Sequence, residues 1–145
     1  MSTEQERLLL RDTIEAGFRQ AAFVADVGIR LVDCGPGWCE SELLVAPRHL
    51  QHGGIVHAGV QATIAEHTAG AAASTMLDAG RHVVTAEFKI NLLRAARSDR
   101  LTCRADVLKS GRTIIVVEAD VFASVHGEAV LVSRFNATMS VLDLA

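Results

Sequence analysis

Apolar and small residues dominate the middle of the chain from Ala58 to Leu77, a segment with only two ionisable side chains, Glu66 and His67. This composition predicts one helix whose apolar surface extends almost all the way round, as in a helix surrounded by other structure. Gly80 follows closely and predicts a left-handed residue that ends the helix. Because a buried carboxylate is costly unless it is paired, Glu66 is either a functional group or a side chain that reaches solvent at the helix edge.

Six other segments predict strands, two before this helix and four after it. They span residues 28–33, 38–45, 84–92, 101–107, 113–122 and 130–141. Segment 84–92 has the clearest alternation, and we expect its apolar, even-numbered residues to face the core. An amphipathic helix over residues 3–20, capped by Ser2 or Thr3, precedes them and is expected to pack as a lid or at the rim of a dimer.

This order of elements predicts the fold class. A six-stranded antiparallel sheet with one apolar face needs a cover, and the long apolar helix is the only segment large enough to provide it. The sequence therefore predicts an α+β protein in which an antiparallel six-stranded sheet wraps around one long central helix, the arrangement called the hotdog fold, with an additional N-terminal helix. We expect a single domain over residues 1–145, with the N-terminal helix in 1–22 and the hotdog core in 25–142.

The composition narrows the classes of function. The 145 residues are 50% hydrophobic and carry a net charge of −3 without a basic run, which argues against binding to nucleic acid or to an anionic membrane. No apolar stretch predicts a membrane span or a signal peptide, so we expect a cytoplasmic protein. The three cysteines are odd in number and lack CxxC spacing, which predicts reduced, structural thiols rather than a zinc or redox site.

A motif introduces the central helix. The segment QHGGIVHAGVQATIAE, residues 51–66, resembles the Q/N-x-x-G-x-x-H-G-G…A-D/E motif of hotdog acyl-CoA thioesterases, in particular the phenylacetate-pathway (PaaI-like) type of the 4HBT superfamily. Residues 85–94, TAEFKINLLR, are similar to the third strand of that family, and Gly111-Arg112 stands where its turn between strands 4 and 5 commonly carries such a pair. The resemblance covers residues 25–142.

The resemblance implies an acyl-CoA thioesterase whose acid is on the central helix. Glu66 would be the nucleophile or the general base. The Ala58 N–H at the helix N-terminus, with the Gly59 N–H as a second candidate, would form an oxyanion hole. The Gln51 side-chain amide would be a further donor. His57 would orient the loop and the thioester at the mouth of the helix rather than act as the base.

The sequence departs from the family pattern in this region. Ala58 replaces the first glycine after the histidine, which keeps the N–H but adds a methyl group near the acyl group. Gly70 stands where some relatives have Ser or Thr one turn after the acid, so we expect Thr85 to substitute for that hydroxyl in placing water. His67 directly follows Glu66, and because adjacent helix residues face different directions, we expect it in packing or at an interface.

One distance within the helix bears on assembly. Ala58 and Glu66 are eight residues apart, about 12 Å along an α-helix, so one thioester carbonyl cannot contact both within a single chain. Two antiparallel copies of the helix would bring Ala58 of one chain beside Glu66 of the other. We therefore expect a homodimer with two shared active sites and an inactive lone subunit. The resemblance also implies that such dimers often pair into tetramers.

The substrate is predicted only as a class. We expect an acyl-CoA, with coenzyme A as part of the substrate and no separate cofactor. Cationic partners for its phosphates are available at Arg94, Arg97, Lys109 and Arg112. Small residues on the helix, Gly70 among them, leave room for a bulky or aromatic acyl group. Aryl, medium-chain and hydroxylated acyl-CoAs and acyl-carrier-protein thioesters all stay open.

Other functions compete with this prediction. His49, His52, His57 and His67 lie near Glu66 in sequence, but none has the His-Glu-x-x-His spacing of a helical zinc site, so we expect no metal. A non-catalytic acyl-CoA-binding module would not need a buried carboxylate, although the fold allows one. A hotdog hydratase or dehydratase would pair a histidine with the acid, which His57 could do only across the dimer. Thioester hydrolysis is therefore the preferred prediction.

Overall fold

The computed structural model describes residues 2–144, and within them it has three α-helices and six strands. The elements are α1 (Thr3–Gln20), α2 (Ala22–Val27), β1 (Arg30–Gly35), β2 (Trp38–Leu44), a 3₁₀ turn (Pro47–His49), α3 (Ala58–Ser74), β3 (Arg81–Leu92), β4 (Arg100–Ser110), β5 (Ile114–Val125) and β6 (Glu128–Asp143). The strands form one antiparallel sheet in the order β1-β2-β4-β5-β6-β3. Helix α3 packs on one face of it, which confirms the predicted hotdog fold.

Helix α3 lies close against the sheet because most of its core-facing side chains are small. The fully buried alanines of the helix are Ala65, Ala69, Ala72 and Ala73. Its two buried polar side chains are satisfied within the core. The Gln61 amide accepts a hydrogen bond from Ser133 Oγ and donates to Val56 O at 3.2 Å. Thr68 shares a hydrogen bond of 2.6 Å with Ser41 of β2. These bonds fix the rotation of α3 about its axis, and hence which residues face away from the sheet.

The central helix ends earlier than the sequence predicts. It stops at Ser74, where Thr75 donates its hydroxyl to the preceding helical turn at 2.6 Å and accepts from the Gly37 N–H at 2.8 Å. Gly80 is left-handed, with φ +82°, but it lies in the turn into β3 rather than at the helix end. The boundary predicted at Leu77 is therefore wrong. The Thr75 hydroxyl competes with backbone N–H groups for the carbonyls of the helix. Its other partner, Gly37, lies in the β1–β2 turn and is distant in sequence, so the residues around Leu77 do not reveal where the helix ends.

The N-terminal helix predicted over residues 3–20 is confirmed. Ser2 caps α1: its side chain accepts the Gln5 N–H, and the Gln5 side chain accepts the Ser2 N–H, the reciprocal arrangement called a capping box. Ile14 and Phe18 are its buried side chains, so α1 contacts the rest of the molecule along a narrow stripe.

A second helix, α2, follows α1 and was missed by the sequence analysis. Extended backbone at Ala21 (φ −73°, ψ 93°) separates the two helices, and Gly28 (φ +98°) ends α2 in the left-handed conformation. The first strand consequently begins at Arg30 rather than at Gly28, and helical structure continues past the limit predicted at residue 22. Six residues without a capping side chain give too weak a periodic signal to predict a helix.

The side chains predicted to face inward from segment 84–92 are partly wrong. The strand forms, as β3, but a β-bulge between Thr85 and Glu87 interrupts its pairing with β6. A bulge adds a residue to one strand and so changes which side chains face the helix. Before the bulge, Val83 packs on the core and Thr85 contacts α3, whereas Val84 is 45% exposed.

Beyond the bulge, β3 carries apolar side chains that the subunit itself leaves uncovered. Phe88 stacks on the buried ring of Phe135 with centroids 5.2 Å apart, yet it is 46% exposed, and Leu92 is 49% exposed. Strand β3 is also an edge of the sheet: it pairs with β6 on one side and, among residues 2–144, has no strand on its other side. An apolar edge strand with one side unpaired is a typical place for another chain to bind.

Candidate active site

Glu66 and Thr85 meet where α3 lies beside β3. Thr85 Oγ1 donates to Glu66 Oε1 at 2.5 Å and lies 3.2 Å from Met139 Sδ. The bulge directly after Thr85 sets the side of β3 on which its hydroxyl lies. Glu66 is half-buried, and within residues 2–144 its second carboxylate oxygen has no hydrogen-bond partner. One oxygen is thus held in place, and the other is available to a bound molecule.

The Glu66–Thr85 pair lies in the wall of a cleft of about 920 Å³. Its size matches the roughly 300–1,000 Å³ typical of small-molecule sites. Helices α1 and α3, the turn between α3 and β3, and the first half of β3 line it; the lining residues include Leu10, Thr13, Ile14 and Gly17 of α1, Glu66, Gly70 and Ser74 of α3, and Val83 and Thr85 of β3. The sequence analysis placed Gly70 and Thr85 at the site but missed the residues of α1. The expectation that the N-terminal helix packs as a lid was the only indication that residues of α1 lie near the site.

The N-terminus of α3 offers one free backbone donor. His57 is the N-cap, and its Nδ1 accepts the Gly59 N–H at 2.8 Å. The next two amides, of Val60 and Gln61, both donate to His57 O. Within the described residues the Ala58 N–H alone in this first turn has no acceptor. Gly59, expected as a second oxyanion donor, is therefore occupied, and Ala58 is the available one.

The loop before α3 presents Gln51 to solvent. A short bridge joins Leu50 to Val56, and the Gln51 N–H donates to Ile55 O at 2.9 Å, so the loop is closed by its own backbone. Two glycines in positive-φ conformations, Gly53 and Gly54, form its tip. The Gln51 side chain is exposed and has no partner among residues 2–144, which leaves its amide free for a ligand.

Within one subunit these donors and the acid lie apart. Ala58 is the first residue of α3 and Glu66 its ninth, a separation of about 12 Å along the axis. The cleft at Glu66 is lined by the C-terminal half of α3 and not by Gln51 or His57. The structure thus brings Glu66, Gly70 and Thr85 together, and it places the Gln51–Ala58 loop at the other end of the helix.

The candidate cations fall in two places. Arg94 and Arg97 belong to the loop after β3, whose Ala96 carbonyl accepts a hydrogen bond of 2.9 Å from the segment leading into α3. Arg97 Nη1 also donates to a carbonyl of the Gln51 loop at 2.8 Å. Arg112 lies elsewhere, in the β4–β5 turn, where its carbonyl accepts from Arg81 Nη2 at 2.9 Å. The structure therefore groups Arg94 and Arg97, but not Arg112, with the loop before α3.

His67 packs against α1. Its ring makes an edge-to-face contact with Phe18 at a centroid distance of 4.4 Å, which agrees with the expected packing role. Burial lowers the pKa of His67, and the negative charge of the neighbouring Glu66 raises it to a smaller extent. The imidazole is therefore neutral at pH 7 and does not pair as a cation with Glu66.

His49 has a structural role. Its Nδ1 accepts the Ala46 N–H at 2.8 Å, so Nε2 carries the proton and donates to Val27 O at 2.6 Å. Both ring nitrogens are thus used in tying α2 to the loop before α3. Within residues 2–144, no three His, Cys, Asp or Glu side chains are placed to hold a metal ion.

The three cysteines, Cys34, Cys39 and Cys103, are buried free thiols. Burial raises the pKa of the Cys103 thiol to about 12 and also raises the pKa of Cys39. Both thiols are protonated at neutral pH and poor nucleophiles, in agreement with a structural role.

Comparisons with known proteins identify the family. The family model of the thioesterase superfamily matches residues 53–130. A thioesterase family protein from Silicibacter pomeroyi is 31% identical, with a TM-score of 0.87 over 90% of this chain and 96% of that one. A thioesterase from Haemophilus influenzae is also 31% identical, with a TM-score of 0.82 over 92% of this chain and 90% of that one.

The PaaI protein of Escherichia coli, from a phenylacetic acid degradation operon, has a TM-score of 0.78 over 90% of this chain and 92% of that one. At 18% identity it shows a shared fold. Among residues 2–144, each helix is too short or too polar to cross a bilayer. The family match spans more than half of the chain and includes the helix that carries Glu66. The chain belongs to the thioesterase superfamily of hotdog-fold thioester hydrolases.

Proposed function

We propose that this protein hydrolyses an acyl-CoA to the free acid and CoA, with Glu66 as the reacting acid. The observation that carries the proposal is the Glu66 carboxylate, held by Thr85 at 2.5 Å in the wall of the 920 Å³ cleft. A carboxylate with one oxygen fixed and one unpartnered can attack the thioester carbon or remove a proton from water. A module that only bound acyl groups would gain nothing from it.

The N-terminus of α3 supplies the electrophilic half of the site. The free Ala58 N–H, at the positive end of the helix dipole, would accept the negative charge that forms on the thioester oxygen. The exposed Gln51 amide would be a second donor. His57 would take no direct part in the reaction. It stabilises the N-terminus of α3 by accepting the Gly59 N–H. Whether Glu66 attacks the thioester carbon or activates a water, the thioester C–S bond breaks and CoA leaves as a thiolate that takes up a proton. Water supplies the new oxygen of the free acid.

The two halves would meet in a homodimer. Because Ala58 and Glu66 lie about 12 Å apart on one helix, the acid of one subunit would work with the Ala58 and Gln51 donors of its partner. The uncovered edge strand β3, with exposed Phe88 and Leu92, supports pairing of two copies along this edge. Arg94 and Arg97, beside the Gln51 loop, would then bind the CoA phosphates near the shared site.

The test compares wild type, Glu66→Ala and Glu118→Ala for CoA release from a panel of acyl-CoAs. Glu118 is an exposed carboxylate on β5 that makes no hydrogen bond within residues 2–144, so it is a matched control. We expect turnover by wild type and Glu118→Ala and a loss of about a hundredfold or more in kcat for Glu66→Ala. If wild type and Glu66→Ala bind acyl-CoA equally well and neither releases CoA, the protein is an acyl-CoA-binding module instead.

A further inference from the structure

One peptide group directly before the free Ala58 N–H is held at both ends. It is the peptide bond between Val56 and His57. Its carbonyl oxygen accepts a hydrogen bond of 3.2 Å from Gln61 Nε2, and its N–H donates to His49 O at 2.9 Å. Because a peptide bond is planar, these two bonds fix the orientation of the whole group. The next peptide group carries the Ala58 N–H, and the His57 dihedral angles (φ −59°, ψ 140°) relate the two.

Gln61 supplies the only hydrogen bond that Val56 O accepts within residues 2–144. This carbonyl precedes the N-cap of α3, outside the hydrogen-bond pattern of the helix, and no backbone N–H donates to it. Val56 and Gln61 are 1% and 3% exposed, so water is not a ready replacement. Since a buried carbonyl without a donor is unfavourable, loss of the Gln61 amide would favour a different orientation of this peptide group.

Ser133 of β6 determines which way the Gln61 amide faces. Ser133 is fully buried, and its Oγ donates to Gln61 Oε1. The carbonyl of Val56 can only accept a hydrogen bond, so the nitrogen of the Gln61 amide has to face it and the oxygen has to face Ser133. A chain of hydrogen bonds therefore leads from the sheet, through α3, to the peptide group that precedes the Ala58 N–H.

Packing of α3 on the sheet does not by itself require these polar groups. An apolar pair of similar shape would fill the same buried space at little cost, and could even be more stable. The other buried polar contact between α3 and the sheet, Thr68 with Ser41, stays within the core and does not reach the loop before α3. Gln61 differs because its amide bonds to that loop, which carries Gln51 and the Ala58 N–H.

We propose that Gln61 is a positioning residue: through Val56 O it holds the Ala58 N–H in the orientation of an oxyanion donor, and Ser133 orients Gln61. The proposal rests on the proposed function, in which the Ala58 N–H accepts the charge on the thioester oxygen. Gln61 does not line the cleft at Glu66, so it acts without touching the substrate there. Because an oxyanion donor acts mainly in the transition state, Gln61 affects kcat more than KM.

Steady-state kinetics with one acyl-CoA tests this for wild type, Gln61→Met, Ser133→Ala and Ser41→Ala. Methionine has a similar length and cannot donate to Val56 O, so kcat should fall about tenfold or more with little change in KM. Ser133→Ala, which leaves the Gln61 amide in place, should have a smaller effect in the same direction. Ser41→Ala is the matched control: it also removes a buried serine hydroxyl that bonds to α3, and it should lower the unfolding temperature but keep the wild-type kcat.

A second substitution separates positioning from general damage to the structure. Ala58→Pro removes the N–H itself at the first position of α3, where proline is favoured, and the extended ψ of His57 suits a residue before proline. Alone it should lower kcat about a hundredfold. Adding Gln61→Met should then cost less than about twofold, because the donor that Gln61 orients is already gone. Losses that multiply in the double variant would overturn the proposal.

The order parameter of the Ala58 amide, from NMR relaxation of protein labelled at alanine nitrogens, gives a readout that needs no hydrolysis. It should fall in Gln61→Met and Ser133→Ala and keep the wild-type value in Ser41→Ala. Ser133→Ala keeps the proposal testable if Gln61→Met does not fold. An unchanged order parameter and kcat in folded variants would overturn the proposal. A lower order parameter, with no CoA release by wild type, would confirm that Gln61 orients the N–H and reject only the hydrolytic function.

Discussion

At the residue scale, the proposed site centres on Glu66 of α3 and Thr85 of β3, which a hydrogen bond of 2.5 Å joins. Glu66 is predictable because it is the one carboxylate within an otherwise apolar helix. Thr85 was a candidate through the family pattern, yet strict alternation would have placed it on the solvent side of its strand. The bulge at Thr85/Glu87 reverses that outcome. A bulge depends on how two strands pair and on the side chains they contact, so the residue pattern of one strand does not reveal it.

We expect Thr85→Val to lower kcat about tenfold or more with little change in KM, because a hydrogen bond to a charged group contributes about 1.5–3 kcal/mol. The hydroxyl is lost, while a side chain of nearly the same size still fills the space between Glu66 and Met139. Steady-state kinetics with one acyl-CoA, alongside thermal unfolding, is the measurement. Thr85→Ser should recover most of kcat. A Ser variant as slow as the Val variant would show that packing, not the hydrogen bond, matters.

At the scale of elements, long periodic segments were predictable and short or contact-dependent ones were not. Helix α1 and all six strands follow from periodicity. Helix α2 and the end of α3 at Ser74 depend on backbone conformation at Ala21 and on the contact between Thr75 and Gly37. The position of α1 over α3 was expected only as a lid or rim. Its contact through Phe18 and His67 determines that it forms one wall of the cleft.

The α1–α3 contact should make stability depend on pH. Burial lowers the pKa of His67 in the folded protein, whereas the unfolded chain has an ordinary value of about 6.5. Between these two values the unfolded state binds more protons, so the free energy of unfolding rises with pH there. It should fall as pH drops below about 6.5 and be constant, for this group, above that value.

Urea unfolding of wild type and His67→Gln between acidic and neutral pH measures this contribution. The variant should lose less stability than wild type on acidification, whatever its stability at neutral pH. His126→Gln, at an exposed turn position, should retain the wild-type dependence. A wild-type pH dependence that survives in His67→Gln would assign it to other groups.

At the scale of the whole molecule, the groups of the proposed site lie apart within one subunit. The acid and the cleft lie toward the C-terminal half of α3, and the free Ala58 N–H and the Gln51 loop lie at its N-terminus. Length along a helix is readable from sequence alone, so the sequence already leads to the expectation of a second chain, which stays a prediction. The edge strand β3 with its uncovered phenylalanine adds a surface for that chain. Which side chains of β3 are uncovered could not be predicted without the bulge.

Mixing two inactive variants tests the shared site directly. Glu66→Ala removes the acid, and Gln51→Ala removes an oxyanion donor worth about a hundredfold or more in kcat; each alone should have low activity. In a mixed dimer, one site combines the intact Glu66 of one chain with the intact Gln51 of the other. Co-refolding equal amounts gives about half mixed dimers with one working site each, so about a quarter of wild-type activity should return. Because a site contained within one chain could not be repaired by exchange, activity no higher than the average of the two variants would reject the shared site.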